Sequence, residues 1–185
     1  MMKNILCIGD SNTYGYDPST GFSYPKDRIW VSMTQTAERK MINCGTNGLS
    51  VPAGNETDYY ASLLRAKDPD AVIIMLGTND ILQRRSAEET AKRMDRFLSS
   101  LEYTKCFLIS PFPLQSGTWV TDEVMISESG KLKELYRSLA EKHGAVYADA
   151  GEWHPETAFD GVHLTLNGHR TFADHLKILL GAHSF

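Results

Sequence analysis

The sequence has no long apolar segment. Its 185 residues are 42% apolar, yet every apolar run is far shorter than the roughly 18 residues that a membrane-spanning helix needs. The run at 5–8 follows Lys3 but is too short for the core of a secretory signal peptide. We therefore expect no membrane partner and a cytoplasmic location.

The sequence also has no segment that is dense in lysine and arginine. The 19 Lys and Arg residues are outnumbered by 23 Asp and Glu residues, which gives a formal net charge of −4. Surfaces that bind nucleic acid are usually basic, because they neutralise phosphates. We therefore expect no nucleic-acid partner.

Cysteine is scarce and forms no CxxC pair. Cys7, Cys44 and Cys106 each lie in or beside an apolar run, which predicts buried, reduced thiols. The glycine-rich turn after Cys44 leaves a reactive thiol open at that position. The histidines outside the 160–163 segment lack a metal-ligand spacing such as HExxH, so no metal site is predicted. We expect these histidines to lie at the surface or to pack against other side chains.

What the sequence does contain is an alternation of short apolar runs with longer amphipathic segments. The predicted strands lie at 5–8, 41–42, 71–76, 106–109 and 145–148. The predicted helices lie at 30–39, 56–66, 87–101, 123–143 and 166–180. Several runs are apolar on consecutive residues, so their strands should be covered on both faces, as in a parallel sheet. The pattern predicts one domain over 1–185, an α/β fold built as a three-layer α/β/α sandwich with about five parallel strands.

Local signals mark several helix ends. Ser86 and Glu89 have the spacing of a capping box, and Thr165 can cap the last helix. Gly144 suits a helix C-terminus. Gly130 falls inside the predicted helix at 123–143, so that helix is expected to be shortened or kinked.

Polar segments follow the predicted strands where the carboxyl ends of the strands should meet. In open α/β sheets, ligands bind beyond that edge. The segments are GDSNT at 9–13, NCGTNG at 43–48, GTND at 77–80 and DGVH at 160–163. Taken alone, each could be only a turn or a helix cap. Four such segments at one edge of one sheet favour a shared chemical role.

One role that these residues can fill together is acyl transfer. A serine hydroxyl needs an adjacent base, and a histidine base needs a carboxylate that fixes its tautomer. Ser11, His163 and Asp160 supply these groups. The oxyanion of the tetrahedral intermediate needs hydrogen-bond donors, for which we predict the backbone N–H groups of Ser11 and Gly45 and the side-chain amide of Asn79.

The same four segments resemble, in order and spacing, the four blocks of the GDSL-type, or SGNH, hydrolase family. The blocks span nearly the whole chain. The resemblance implies a flavodoxin-like fold, a nucleophile at Ser11, an acid and a base at Asp160 and His163, and oxyanion donors at Ser11, Gly45 and Asn79. It also makes self-association into a homo-oligomer an expectation.

One residue departs from the family pattern. Asn12 stands where the family usually has leucine, a position that is not catalytic in the family, so the departure concerns local packing. Further segments are similar to the arylesterase and acyltransferase branch of the family. They are YGYDP at 14–18, YP at 24–25, RIW at 28–30, and GLS at 48–50 ahead of Asp58.

The predicted function is a serine esterase that hydrolyses short-chain carboxylic esters through an acyl-enzyme, without a metal or an organic cofactor, and with acyl transfer as a side activity. Aromatic residues within 14–30 and 112–120, together with Trp153, are expected to line the pocket. Little of the chain is left for a lid, which predicts a shallow site for small acyl groups.

Two alternatives remain open at this point. The same machinery would serve a deacetylase of acetylated carbohydrates. A flavodoxin-like binding module would instead use 11–15 to hold a flavin phosphate, but it leaves Asn79 and the Asp160/His163 pair without a role.

Overall fold

The protein is described by a computed structural model that covers residues 2–103 and 105–185. The strands of these residues are β1 (Lys3–Gly9), β2 (Tyr16–Asp17), β3 (Phe22–Ser23), β4 (Arg39–Gly45), β5 (Ala71–Met75), β6 (Cys106–Ser110) and β7 (Val146–Asp149). The helices are α1 (Ser11–Tyr14), α2 (Trp30–Met33), α3 (Asn55–Lys67), α4 (Thr78–Leu82), α5 (Ala87–Ser100), α6 (Glu123–His143) and α7 (Leu166–Ala182). Two 3₁₀ turns cover Lys26–Arg28 and Ala150–Trp153.

Five of the strands form a parallel sheet in the order β4-β1-β5-β6-β7. Counted among these five alone, the order is 2-1-3-4-5, which is the flavodoxin-like arrangement. The order reverses beside β1, and this is the place where such sheets bind ligands at their carboxyl edge. β2 and β3 form a separate antiparallel hairpin. The predicted fold is therefore confirmed.

Both faces of the sheet are covered by helices. Alternate residues of a strand point to opposite faces, so Ile74 and Leu108 pack into a core with α3, α5 and α6, whereas Ile73 and Phe107 pack into a core with α2 and α7. β5 and β6 are buried along their whole length. This burial explains why their sequences are apolar on consecutive residues. Within the described residues, no helix has the length and apolar character needed to cross a membrane.

The predicted helix at 30–39 is wrong in its second half. α2 is only one turn long and ends at Thr34, whose hydroxyl and N–H both donate to Trp30 O, at 2.7 and 3.0 Å. Arg39 Nε then donates to Thr34 O (2.8 Å), and from Arg39 onward the backbone pairs with β1. The strand predicted at 41–42 is accordingly seven residues long.

The helix ends follow the local signals closely. Ser86 and Glu89 form the predicted capping box, the Thr165 side chain caps α7, and Gly144 ends α6 in the left-handed conformation at φ 64°. The expectation for Gly130 is wrong. α6 continues through it without interruption, because the packing of α6 along the sheet outweighs the low helix propensity of one glycine.

Candidate active site

Ser11 lies in the first turn after strand β1. Asp10 caps α1, because its Oδ1 accepts the N–H of Asn12 at 2.9 Å. A β-carbon at Gly9 would come within 1.9 Å of Thr13 Oγ1. Only glycine therefore allows the strand to turn so tightly into α1, and the turn places Ser11 at the carboxyl edge of the sheet.

Asp160 and His163 lie on a loop that the Asp160 carboxylate itself orders. Its Oδ1 accepts the N–H groups of Val162 (2.9 Å) and His163 (3.0 Å), and its Oδ2 lies 2.5 Å from His163 Nδ1. Gly161 has a φ of 77°, and a β-carbon there would lie 2.0 Å from Gln115 O. The loop therefore holds the carboxylate and the imidazole in one fixed relation.

The loop brings the imidazole to the serine. His163 Nε2 lies 2.9 Å from Ser11 Oγ, although the two residues are 152 positions apart in the chain. Ser11, His163 and Asp160 are all buried. Burial alone would raise the pKa of Asp160, but hydrogen bonds from the His163 ring and from two backbone N–H groups hold that pKa below its ordinary value. The ionised carboxylate can thus accept Nδ1–H, which leaves Nε2 free to accept the serine proton.

The series of hydrogen bonds from Asp160 through His163 to Ser11 ends at a cavity of about 340 Å³. The residues that line it are Ser11, Tyr16, Asn47, Gly48, Asn79, Leu82, Trp119 and His163. Tyr16 and Trp119 pack against the His163 ring, with ring centroids 4.7 and 5.2 Å away. Trp153 does not line this cavity but packs against α7. A larger groove of about 720 Å³ is lined by residues of 112–157 and contains none of the predicted site residues.

The predicted oxyanion donors do not all reach the cavity. Asn79, on the unpredicted short helix α4, lines it and donates one amide N–H to Leu49 O (3.2 Å), which leaves the second amide proton available. Gly45 does not line it, and its N–H donates to Asn43 Oδ1 (2.8 Å). A β-carbon at Gly45 would lie 2.2 Å from Tyr14 N. Gly45 therefore allows β4 to approach α1 closely, and its N–H is already engaged.

Gly48 lines the cavity where Gly45 was expected. It has a φ of 74°, and no heavy atom lies within 4 Å of the position that its β-carbon would occupy. No acceptor among residues 2–103 and 105–185 is hydrogen-bonded to the Gly48 N–H. Both glycines belong to the NCGTNG segment, and their spacing did not show which one faces the reacting groups.

Two buried carboxylates, those of Asp10 and Asp80, support the loops around the site. Asp80 Oδ2 accepts the Val51 N–H (2.8 Å), and Asp80 Oδ1 lies 3.3 Å from Arg93 Nε and 3.4 Å from Arg85 Nη1. Burial raises the pKa of Asp10 to about 6, even though hydrogen bonds to its carboxylate act in the opposite direction. Both residues thus hold backbone segments in place beside the reacting groups.

The titratable side chains outside the site have structural partners. His169 is buried, its Nδ1 accepts the Trp30 N–H (3.3 Å), and burial lowers its pKa to about 4. His143 lies 2.7 Å from the Asp95 carboxylate.

Burial raises the pKa of Cys44, which is the opposite of what a reactive thiolate requires. In the part of the chain that the structure describes, no three His, Cys, Asp or Glu side chains are grouped so that they could hold a metal ion.

A comparison with protein families identifies the family of this chain. The model of the "GDSL-like Lipase/Acylhydrolase family" matches residues 7–171, which include all the predicted site residues. The chain belongs to this family. As a member of it, the chain carries the hydrogen-bonded serine and histidine at the sheet edge described above.

Solved structures and a curated relative show how far the similarity of this chain to other family members extends. The native aryl esterase of M. smegmatis has a TM-score of 0.88 and 25% identity, covering 97% of this chain and 99% of that one. A carbohydrate acetylesterase family member from Sinorhizobium meliloti has a TM-score of 0.85 and 25% identity, covering 98% of each chain. An acetylxylan esterase of Xylanibacter ruminicola is 23% identical over 208 residues, which are 92% of this chain but 41% of that protein. The chain therefore spans about two fifths of the length of that curated relative.

Proposed function

We propose that this GDSL-like acylhydrolase is a serine esterase that hydrolyses short-chain carboxylic esters through an acyl-enzyme. The observation that carries the proposal is the buried hydrogen-bonded chain from Asp160 through His163 to Ser11, which ends at a cavity. Acyl transfer by a serine requires this arrangement. A module that merely binds a phosphate would need neither the imidazole nor the Asn79 amide at this edge.

The first half-reaction forms the acyl-enzyme. Ser11 Oγ attacks the carbonyl carbon of the ester while His163 Nε2 accepts the hydroxyl proton. Asp160 accepts the Nδ1–H and stabilises the imidazolium that results. When the tetrahedral intermediate collapses, the bond to the leaving oxygen breaks, and the imidazolium gives that oxygen its proton, so that an alcohol departs.

The oxyanion of the intermediate is stabilised by three N–H groups. The Ser11 N–H and the second Asn79 amide proton keep the roles predicted for them. We assign the third role to the Gly48 N–H in place of Gly45, because Gly48 lines the cavity and its N–H has no described acceptor, whereas the Gly45 N–H is bonded to Asn43. Donors that are already oriented stabilise the developing charge without reorganising.

The second half-reaction releases the acid. His163 Nε2 accepts a proton from water as the water oxygen attacks the acyl carbon. The second tetrahedral intermediate then collapses: the bond to Ser11 Oγ breaks, the imidazolium returns its proton to that oxygen, and a carboxylic acid is released. An alcohol that enters in place of water would take up the acyl group instead. Acyl transfer to alcohols is therefore part of the proposal, as a side activity.

The size of the cavity supports a preference for small acyl groups. Its volume of about 340 Å³ lies near the lower end of the roughly 300–1,000 Å³ that ligand pockets usually have. Tyr16, Leu82 and Trp119 give it apolar walls. We expect kcat/KM to fall steeply from acetyl to long-chain esters of the same alcohol, and equal values would contradict the preference.

Replacement of the nucleophile tests the esterase proposal. Ser11→Ala should abolish hydrolysis of p-nitrophenyl acetate and labelling by a fluorophosphonate probe, because alanine offers no oxygen to attack the carbonyl. Ser138→Ala, at an exposed serine of α6, is the matched control and should behave as the wild type. A folded Ser11→Ala protein that retained the activity would refute the assignment.

Deacetylation of carbohydrates is the second candidate function, and it rests on the similarity to the carbohydrate acetylesterase family member and the acetylxylan esterase. Trp119 is half-exposed at the cavity and offers an aromatic surface on which either an aryl group or a sugar ring could stack. Phenyl acetate, acetylated xylose and acetylxylan should be compared at equal enzyme concentration, with Ser11→Ala as background. A higher kcat/KM for the acetylated sugars would favour the deacetylase.

A further inference from the structure

The Asn12 side chain lies between the nucleophile and the loop that carries the base. It is 2% exposed. Asn12 Nδ2 donates to Val162 O (3.1 Å), and Asn12 Oδ1 accepts the Leu164 N–H (2.9 Å). Val162 and Leu164 are the two neighbours of His163 in the chain. The residue next to Ser11 thus binds the peptide groups on both sides of His163.

The chemistry of these two bonds fixes which way the amide points. A backbone carbonyl can only accept and a backbone N–H can only donate, so the NH₂ group must face Val162 O and the oxygen must face Leu164 N. Leucine, the usual residue of the family at this position, could form neither bond. It would leave a donor and an acceptor buried without partners.

The backbone of Asn12 is itself held in place. Its N–H donates to Asp10 Oδ1 (2.9 Å), and its carbonyl accepts the indole N–H of Trp30 (2.9 Å). Trp30 is completely buried between α1 and α7, where it packs on Phe172 with ring centroids 4.8 Å apart. The side-chain amide of Asn12 therefore extends from a backbone that is held in place on both sides.

The other hydrogen bonds of the loop do not connect it to Ser11. Asp160 Oδ1 binds N–H groups within the loop, His163 O accepts the Ala158 N–H (2.7 Å), and Gly161 O accepts the Gln115 N–H (2.9 Å). Across residues 2–103 and 105–185, the only hydrogen bonds between this loop and the turn that carries the nucleophile are those of Asn12 and the Ser11–His163 bond itself. Tyr16 also packs on the face of the His163 ring, but it does not hold the loop backbone. The position of the loop backbone relative to Ser11 therefore depends on Asn12.

We propose that Asn12 is a positioning residue, which sets the distance and angle between His163 Nε2 and Ser11 Oγ through its two bonds to the peptide groups around His163. The inference rests on the proposed esterase function, because it assigns Asn12 a role in that reaction. Asn12 does not contact the substrate, since it does not line the cavity. Its loss should therefore lower kcat and leave KM nearly unchanged.

The kinetic test compares two variants that each lose two side-chain-to-backbone hydrogen bonds. Asn12→Leu loses the bonds beside His163. Arg39→Met loses the bonds to Thr34 O and Phe185 O, each 2.8 Å long, at the opposite end of the sheet. For hydrolysis of p-nitrophenyl acetate we expect Asn12→Leu to lower kcat on the order of 100-fold, the size of effect that a misplaced reacting group produces. Arg39→Met should keep the kcat of the wild type per folded molecule.

A spectroscopic readout separates positioning from general destabilisation. The His163 Nδ1 proton, bonded to Asp160 at 2.5 Å, should give a downfield ¹H NMR signal that is lost or broadened in Asn12→Leu and kept in Arg39→Met. Asn12→Asp has nearly the same size and keeps an acceptor for the Leu164 N–H. Asn12→Asp takes the place of Asn12→Leu in both measurements if Asn12→Leu does not fold. It should also lower kcat and leave KM nearly unchanged.

The outcomes are distinguishable. Wild-type kcat and an unchanged Nδ1 signal in folded Asn12→Leu would overturn the proposal. So would a loss of activity that only follows the folded fraction. If the wild type hydrolyses no ester at all, the esterase proposal fails, whereas the comparison of the Nδ1 signals still decides whether Asn12 positions His163.

Discussion

Two buried carboxylates of the site have pKa values that shift in opposite directions. Asp160 accepts the His163 ring N–H and two backbone N–H groups, and these bonds outweigh its burial, so its pKa is lowered. For Asp10 burial outweighs the hydrogen bonds, and its pKa is raised to about 6. The balance between burial and the hydrogen-bond donors around each carboxylate thus decides the direction in which its pKa shifts. The sequence shows two aspartates at loop ends and gives no sign of this difference.

The raised pKa of Asp10 predicts a pH-dependent contribution to stability. The folded chain binds the Asp10 proton more tightly than the unfolded chain, whose pKa is near 3.8. The contribution of Asp10 to the free energy of unfolding should therefore decrease as pH rises from about 4 to about 6, and this penalty persists above pH 6. Asp10→Asn cannot ionise but keeps an oxygen that can cap α1.

The measurement is urea unfolding of both proteins at several pH values. Asp10→Asn should gain stability relative to the wild type, by up to about 3 kcal/mol between pH 4 and pH 7 for a shift of about two units. A difference between the two proteins that does not change over this range would contradict the raised pKa.

Asn79 should matter for the rate of the reaction and little for the fold. Its second amide proton is the one side-chain donor assigned to the oxyanion. Asn79→Ala should lower kcat by about 10²–10³-fold, the usual cost of removing one such donor. The thermal unfolding midpoint should change little, because the bond to Leu49 O is long at 3.2 Å. Wild-type kcat in Asn79→Ala would remove this donor from the mechanism.

Among the secondary-structure elements, the buried central strands were predictable and the edge strand was not. β5 and β6 are covered on both faces, and their sequences show it as unbroken apolar runs. β4 lies at the edge of the sheet and exposes Lys40 and Asn43, so only two adjacent apolar residues mark it. The helix predicted at 30–39 extended into this strand for the same reason. The pairing of β4 with β1 is a long-range contact that local pattern cannot reveal.

Two glycines, one inside α6 and one directly after its last residue, lead to opposite predictions for the stability of the protein. Gly130 lies in the helix interior with open space around its β-carbon position, so Gly130→Ala should raise the free energy of unfolding by about 0.5–1 kcal/mol. Gly144 ends the helix at a φ of 64°, so Gly144→Ala should lower that free energy by about 1–2 kcal/mol. Thermal or urea unfolding measures both variants. A loss of stability in Gly130→Ala would show that α6 needs glycine there.

At the scale of the whole molecule, the site exists only when distant parts of the chain have come together. The order of the strands places β1 inside the sheet, between β4 and β5, and the α7 side of the sandwich brings the 160–163 loop to the end of β1. The resemblance of four short segments to one family was enough to name Ser11, His163 and Asp160, which the structure brings into hydrogen-bonding contact. The resemblance named Gly45 and could not show that Gly48 is the glycine that lines the cavity, because this depends on the path of the loop that contains them.

This arrangement predicts that the reactive site and the fold are lost together. Ser11–His163 contact requires the complete sheet, so labelling of Ser11 by a fluorophosphonate and the far-UV circular dichroism signal should share one urea midpoint, as in a two-state transition. Labelling that disappears at a clearly lower urea concentration would show that the 160–163 loop opens by itself.

The separation of 152 positions between the bonded serine and histidine also determines when the site can form during biosynthesis. A ribosome completes the β1 turn long before it reaches the loop with the imidazole, and chains begin to fold from their N-terminal parts as they emerge. During most of translation the emerging polypeptide therefore carries an ordinary, unreactive alcohol. Any catalytic power would arise late and all at once, so unfinished chains could not attack acyl compounds in the cell.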